Sequence, residues 1–206
     1  EPPLPPDPSH IVKDKNDLVY NEEQIKKTID YVIYKLRSGK LQAFFQLFKE
    51  LKAAESGPAE LSQSALSVGL KRLAIDISQE EIQRLFYTLA NDRNYVQIDR
   101  LMELFTKNYN NDRRKSVQNA YSKFDYMKNG KVSLQLVKEL FSAKKTFAAR
   151  EGRLSPEEVS AQFAELLDGF SKLNGNNFVV DLSKFERMFS FISAQMKEDK
   201  EFYHFV

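Results

Sequence analysis

Leu61-Ser-Gln-Ser-Ala-Leu66-Ser-Val68-Gly-Leu70, Val96-Gln-Ile-Asp-Arg-Leu101-Met-Glu-Leu104-Phe105, Val132-Ser-Leu-Gln-Leu-Val137-Lys-Glu-Leu140-Phe141 and Val180-Asp-Leu-Ser-Lys-Phe185-Glu-Arg-Met188-Phe189 follow one pattern. Each starts on an apolar residue, continues with a polar one, and then carries apolar residues around steps 5, 8 and 9, the spacing of a helix with one buried face. The copies start 35, 36 and 48 residues apart, as repeated supersecondary units do. An amphipathic helix and a short polar loop precede each copy. The repeating unit is therefore helix, loop, one extended residue, helix.

Outward from the repeats the chain reads as helix almost throughout. Ser78-Gln79-Glu80-Glu81 and Ser155-Pro156-Glu157-Glu158 are capping boxes, in which the hydroxyl accepts from the third helical amide and the carboxylate reaches back. Pro156 takes the first helical position, where a missing amide costs nothing. Asn21-Glu22-Glu23-Gln24 reads as a third, weaker start. No alternating pattern of useful length calls for a sheet. The expected class is all-α.

A helix–loop–helix unit with one extended residue in its loop is the EF-hand. The lone extended residue pairs with its counterpart in a neighbouring hand, which predicts two short bridges, Leu61 with Val96 and Val132 with Val180. Four hands then form two lobes, over residues 23–106 and 107–206, behind an arm at 1–22. Five of the seven prolines fall in residues 1–8, which predicts an extended polyproline II stretch there. The arm either engages an aromatic groove or lies on the nearest surface.

The region from Ile29 to Val206 resembles the calcyphosin group of four-EF-hand proteins. The resemblance rests on Arg114-Lys-Ser-Val-Gln-Asn-Ala-Tyr-Ser-Lys-Phe-Asp125, on Asn129-Gly130-Lys-Val132 and on the long insert before Ser155-Pro-Glu-Glu-Val159 and Phe163. It rests also on Lys35-Leu-Arg-Ser-Gly39 ahead of the first hand. The resemblance implies a calcium-binding protein or an adaptor derived from one. It also implies a place in the cytoplasm and cytoskeleton, in the axoneme of a cilium or flagellum.

Calcium needs oxygens at loop positions 1, 3, 5, 7 and 9, a bidentate acid at 12, and glycine at 6. With the bridge residue at position 8, position 12 falls on Ala65, Arg100, Leu136 and Lys184. None of these offers a carboxylate. The third loop keeps the most, with Asp125 at 1, Asn129 at 5, Gly130 at 6 and Ser133 at 9, but Met127 stands at 3. Asp125, Asn129 and Ser133 are thus the residual metal candidates, and the expectation is no resident cofactor, calcium being the one ion left open. The alternative role for Asp125 is a turn carboxylate held by loop amides.

Cysteine is absent and histidine occurs twice, at His10 and His204. That excludes a disulfide framework, thiolate metal sites and a cysteine nucleophile. No glycine-rich phosphate loop, G-x-S-x-G or His-Glu-x-x-His occurs, and no catalytic site is expected. No stretch is long and apolar enough to cross a membrane as a helix. The chain opens on Glu1 rather than Met, which points to a start upstream.

Charge is uneven. Residues 107–153 hold twelve Lys or Arg and four acids, against a net charge of only +2 for the whole chain. Such asymmetry points to an acidic partner. A protein surface such as tubulin's fits, whereas the aromatic platforms or groove helix of a nucleic-acid binder do not show. Arg113, Arg114, Lys115, Lys144 and Lys145 are the candidate partner-binding residues. Arg113-Arg114-Lys115-Ser116 also matches a basic-directed kinase site, although a solvated helix start explains it equally. The apolar end, Glu201-Phe-Tyr-His-Phe-Val206, either packs on its own lobe or enters a partner. The reading is a non-enzymatic structural adaptor among tubulin or axonemal proteins, binding neither nucleic acid nor membrane. Its alternative is a calcium sensor that grips target helices through the third hand.

Overall fold

A computed structural model of the chain describes residues 15–55 and 57–206, with side chains from residue 22 onward. Both strong capping boxes close. The Ser78 hydroxyl accepts from the Glu81 amide while the Glu81 carboxylate accepts from the Ser78 amide, and Ser155 and Glu158 repeat the arrangement. These bonds to the charged form hold the Glu81 and Glu158 carboxyls below their usual range.

Helix α1 spans Lys15–Arg37. It runs through Asn21, so that residue starts no helix, and residues 15–22, expected as part of an extended arm, are helical. In the sequence Leu18 stands seven residues before Ile25, a helical spacing that gives the helix no reason to start at Asn21. The proline stretch at 1–8 lies outside the described residues.

The first hand is α2 (Ala43–Ala53), β1 (Glu60–Leu61) and α3 (Gln63–Arg72). The second is α4 (Gln79–Leu89), β2 (Val96–Gln97) and α5 (Ile98–Phe105). The third is α6 (Asn111–Phe124), β3 (Val132–Ser133) and α7 (Leu134–Leu140). An insert with a 3-10 turn (Ala143–Lys145) and the short α8 (Phe147–Arg150) follows. The fourth hand is α9 (Pro156–Leu173), β4 (Val179–Val180) and α10 (Leu182–Gln195), and α11 (Asp199–Tyr203) closes the fold. The bridges have the expected register, antiparallel with Leu61 opposite Val96 and Val132 opposite Val180. This is an all-α fold of paired EF-hand-type units.

The polar residue after each bridge caps its exit helix in three hands. Ser62, Ser133 and Asp181 accept from the amides of Ala65, Leu136 and Lys184. Gln97, not a capping residue type, does not; its side-chain amide donates to Glu60 across the bridge at 3.1 Å. The fifth-step residues Leu66, Leu101, Val137 and Phe185 are all buried. Leu140, expected in the core, is 63% exposed. Helix α7 stops at Leu140, Phe141 turns the chain away with φ −67° and ψ 126°, and the Phe141 ring packs on Phe163 at 4.2 Å.

The hand pairs share one apolar core. From α2, Phe45 meets Phe170 and Phe191 at 6.1 Å each, and Phe48 stacks on Phe191 at 5.3 Å. Burying each such ring contributes roughly 2–3 kcal/mol. Polar bonds frame the contact, from the Leu41 amide to Gln162 at 2.8 Å, from Arg37 Nε to the Ala194 carbonyl at 2.8 Å, and from Gln42 to Glu165 at 2.6 Å. The end of the chain packs on its own second pair, where Phe205 lies 5.0 Å from Phe141 and 5.3 Å from Phe163.

Candidate functional site

Counting back from the bridges puts Ala59, Asn94 and Gly130 at position 6 of the first three loops, and all three are left-handed, with φ of 59°, 57° and 71°. The turn that calcium loops require is therefore kept where glycine is not. In the fourth loop Gly175 and Asn176 take positive φ instead, nearer the end of α9.

The turn survives, but the ligand set does not. In the third loop the two carboxylate oxygens of Asp125 accept from the amides of Asn129 at 3.0 Å and Gly130 at 2.9 Å. The Asn129 side-chain oxygen accepts from the Lys131 amide at 3.0 Å. Ser133 caps α7. All three residual metal candidates thus serve the loop's own backbone, and Asp125 has the turn role. Position 12 holds buried Ala65, exposed Arg100, half-buried Leu136 and exposed Lys184. Calcium takes six to eight oxygens and is tuned by carboxylate count, and a loop with one carboxylate does not fit it. Among the described residues no three Asp, Glu or His side chains gather as a metal cluster. Burial raises the Tyr121 hydroxyl above its usual range, with a smaller push from Asp125 and Asp181.

The basic segment divides once folded. Arg113, expected at a partner surface, is 1% exposed. Its Nε donates to Asp199 at 2.7 Å, its Nη1 to the carbonyls of Ser193 and Met196 at 2.9 and 3.0 Å and to the Ser193 hydroxyl at 3.0 Å. Its guanidinium also sits 5.2 Å from the centre of the Phe202 ring. It anchors the last helices from the interior, and its bonding leaves it no part in a partner-binding surface. The kinase-like match loses its first arginine with it, and Ser116 Oγ donates to the Asp112 carbonyl within α6.

Arg114 and Lys115 are exposed. Arg114 lies over Tyr109 at 5.6 Å and borders a depression that also includes Asp99, Glu103 and Glu186. Lys144 and Lys145 stand elsewhere. They rim a cleft of about 650 Å³ floored by Phe124, Val137, Leu140, Phe141, Phe205 and Val206. A second depression of about 450 Å³, with Lys123 on its edge, shares Phe124, Leu140, Tyr203 and Val206 with the first. The five candidate residues are therefore not one surface. Lys123 and Arg150 are two more cations of the basic segment that no local motif marks out; the fold places Arg150 on the cleft with Lys144 and Lys145, and Lys123 on the adjoining depression.

The chain is similar to a calcium-binding protein. Over 189 residues it is 25% identical to crustacean calcium-binding protein 23 of Faxonius limosus, a match spanning 88% of this chain and 91% of that protein. The likeness extends over most of the chain and is not confined to one motif. No family model matches the chain.

Proposed function

We propose that the chain is a non-enzymatic adaptor that binds partner proteins without calcium. The observation that carries this reading is the chemistry of the loops, one carboxylate in the best of them and Ala65, Arg100, Leu136 and Lys184 where the closing acid belongs. In sensor EF-hands the ion opens a helix pair and exposes an apolar groove. Here packing sets the conformation instead, with α2 held against α9 and α10 by Phe45, Phe48, Phe170 and Phe191. A place in the cytoskeleton of a cilium or flagellum, among tubulin or axonemal proteins, is the companion proposal. It rests on the resemblance alone and is read out by locating the tagged chain in ciliated cells.

A calcium sensor acting through the third hand is the second reading. The likeness to a calcium-binding protein and the intact turn at Gly130 favour it. Titration calorimetry separates the two. The adaptor reading expects no calcium binding tighter than about millimolar, the weak end of the EF-hand range. Micromolar binding that disappears in Asp125→Ala would establish the sensor.

A further inference from the structure

Seven of the twelve cations between residues 107 and 153 make no ion pair with a described residue, while Lys107, Arg113, Lys115, Lys138 and Arg153 do. Four of the seven, Lys123, Lys144, Lys145 and Arg150, border the paired depressions over Phe124, Leu140 and Tyr203. Among the described residues no Asp or Glu side chain lines either depression. The floor is apolar and open, with Leu140 63% and Tyr203 43% exposed. Charge here is unbalanced next to exposed apolar surface, and a ligand answering both needs is narrowly defined.

We propose that this cleft is the docking site for an acidic protein segment bearing a bulky apolar side chain. The apolar side chain enters beside Leu140 and Tyr203, and its flanking carboxylates meet Lys123, Lys144, Lys145 and Arg150. Leu140 is available because α7 ends there, while Phe205 already fills the adjoining space between Phe141 and Phe163. The docking surface is therefore formed by packing and needs no ion to open it. The proposal rests on the adaptor reading for the existence of a protein partner, and adds its place and its chemistry.

The test uses the full chain and two labelled peptides of roughly 18 residues, long enough for an amphipathic helix. One carries leucines at helical spacing among glutamates, and its counterpart carries lysines in place of the glutamates. Fluorescence anisotropy in chelator should show binding of the acidic peptide only, weakened several-fold by raising salt, since exposed charge pairs are screened. The exposed pair Lys144→Glu/Lys145→Glu should weaken binding about tenfold, the effect of losing a few surface charge pairs, with the circular dichroism melt unchanged. Leu140→Ala should weaken it as well. Three results would overturn the proposal: no binding of the acidic peptide, binding indifferent to the lysine reversals, or equal affinity for an oligonucleotide of the same charge. So would a concentration-dependent dimer lost in Leu140→Asp, which would assign the cleft to a second copy. Binding of the acidic peptide that requires calcium would support the cleft and overturn calcium independence instead, so the two readings fail separately.

Discussion

Arg113 is where residue type and residue role part company. Within Arg-Arg-Lys-Ser it has the look of a solvated cation, and its neighbours Arg114 and Lys115 are solvated. A guanidinium is tolerated in a core only when its donors are met. Here the partners come from Ser193, Met196 and Asp199, eighty or more residues along the chain. Asn108 Nδ2 joins them, donating to the same Ser193 and Met196 carbonyls at 2.7 and 2.9 Å. No local pattern encodes that convergence. Replacing Arg113 by Met should cost about 3 kcal/mol, since Asp199, itself half exposed, can stay solvated while buried carbonyls lose a charged donor. Arg114→Glu/Lys115→Glu should stay within about 0.5 kcal/mol of the parent, as surface changes do. Urea midpoints of the two variants measure the contrast, and a neutral Arg113→Met would remove the anchoring role.

At the scale of elements, the helix starts and the bridges are local chemistry and can be read in order along the chain. Ser78 and Ser155 act within four residues of themselves, and the bridge residues are fixed by their place between loop and helix. Gln97 departs from its siblings because its longer side chain is not a helix-capping type, and its amide reaches across the bridge to Glu60. The loops show the same division. The position-6 turn is a requirement of the unit, and Ala59 meets it at φ 59° despite the cost of a left-handed conformation for a residue with a Cβ, about 1–2 kcal/mol. Glycine carries no such cost but loses more entropy on folding. Ala59→Gly should therefore stabilise the chain by roughly 0.5–1 kcal/mol, seen as a rise of a few degrees in the melting temperature. A fall would mean that the Ala59 methyl makes contacts worth more than the strain.

At the scale of the molecule, the decisive contact is between the hand pairs. Gly169 in α9 lies so near α2 that a Cβ there would come within 2.7 Å of Phe45 Cε1. Phe45 is buried and has no room to withdraw. Around it Arg187 of α10 pairs with Asp99 of α5 and covers the Phe48 ring at 4.5 Å. Gly169→Leu should wedge the pairs apart, costing about 2–3 kcal/mol as overpacking does. Scanning calorimetry should show one transition broadening or dividing into two, as each pair melts by itself. A single transition at the parent temperature would show that the interface does not couple the pairs.

The sequence by itself determined the helical class, the four units, the capping boxes, the register of both bridges and the erosion of the loop ligands. Each of these depends on residues a few positions apart, or on a repeat that returns at nearly constant spacing. Only the tertiary structure decided that Arg113 is interior, that Leu140 is left outside, that α2 is held against helices of the other pair and that Lys123, Lys144, Lys145 and Arg150 border two adjoining depressions. Those outcomes are contacts between residues distant in the chain. Burial and electrostatics at such positions depend on what the rest of the fold brings beside them, and a side chain's own neighbours in sequence carry no record of it.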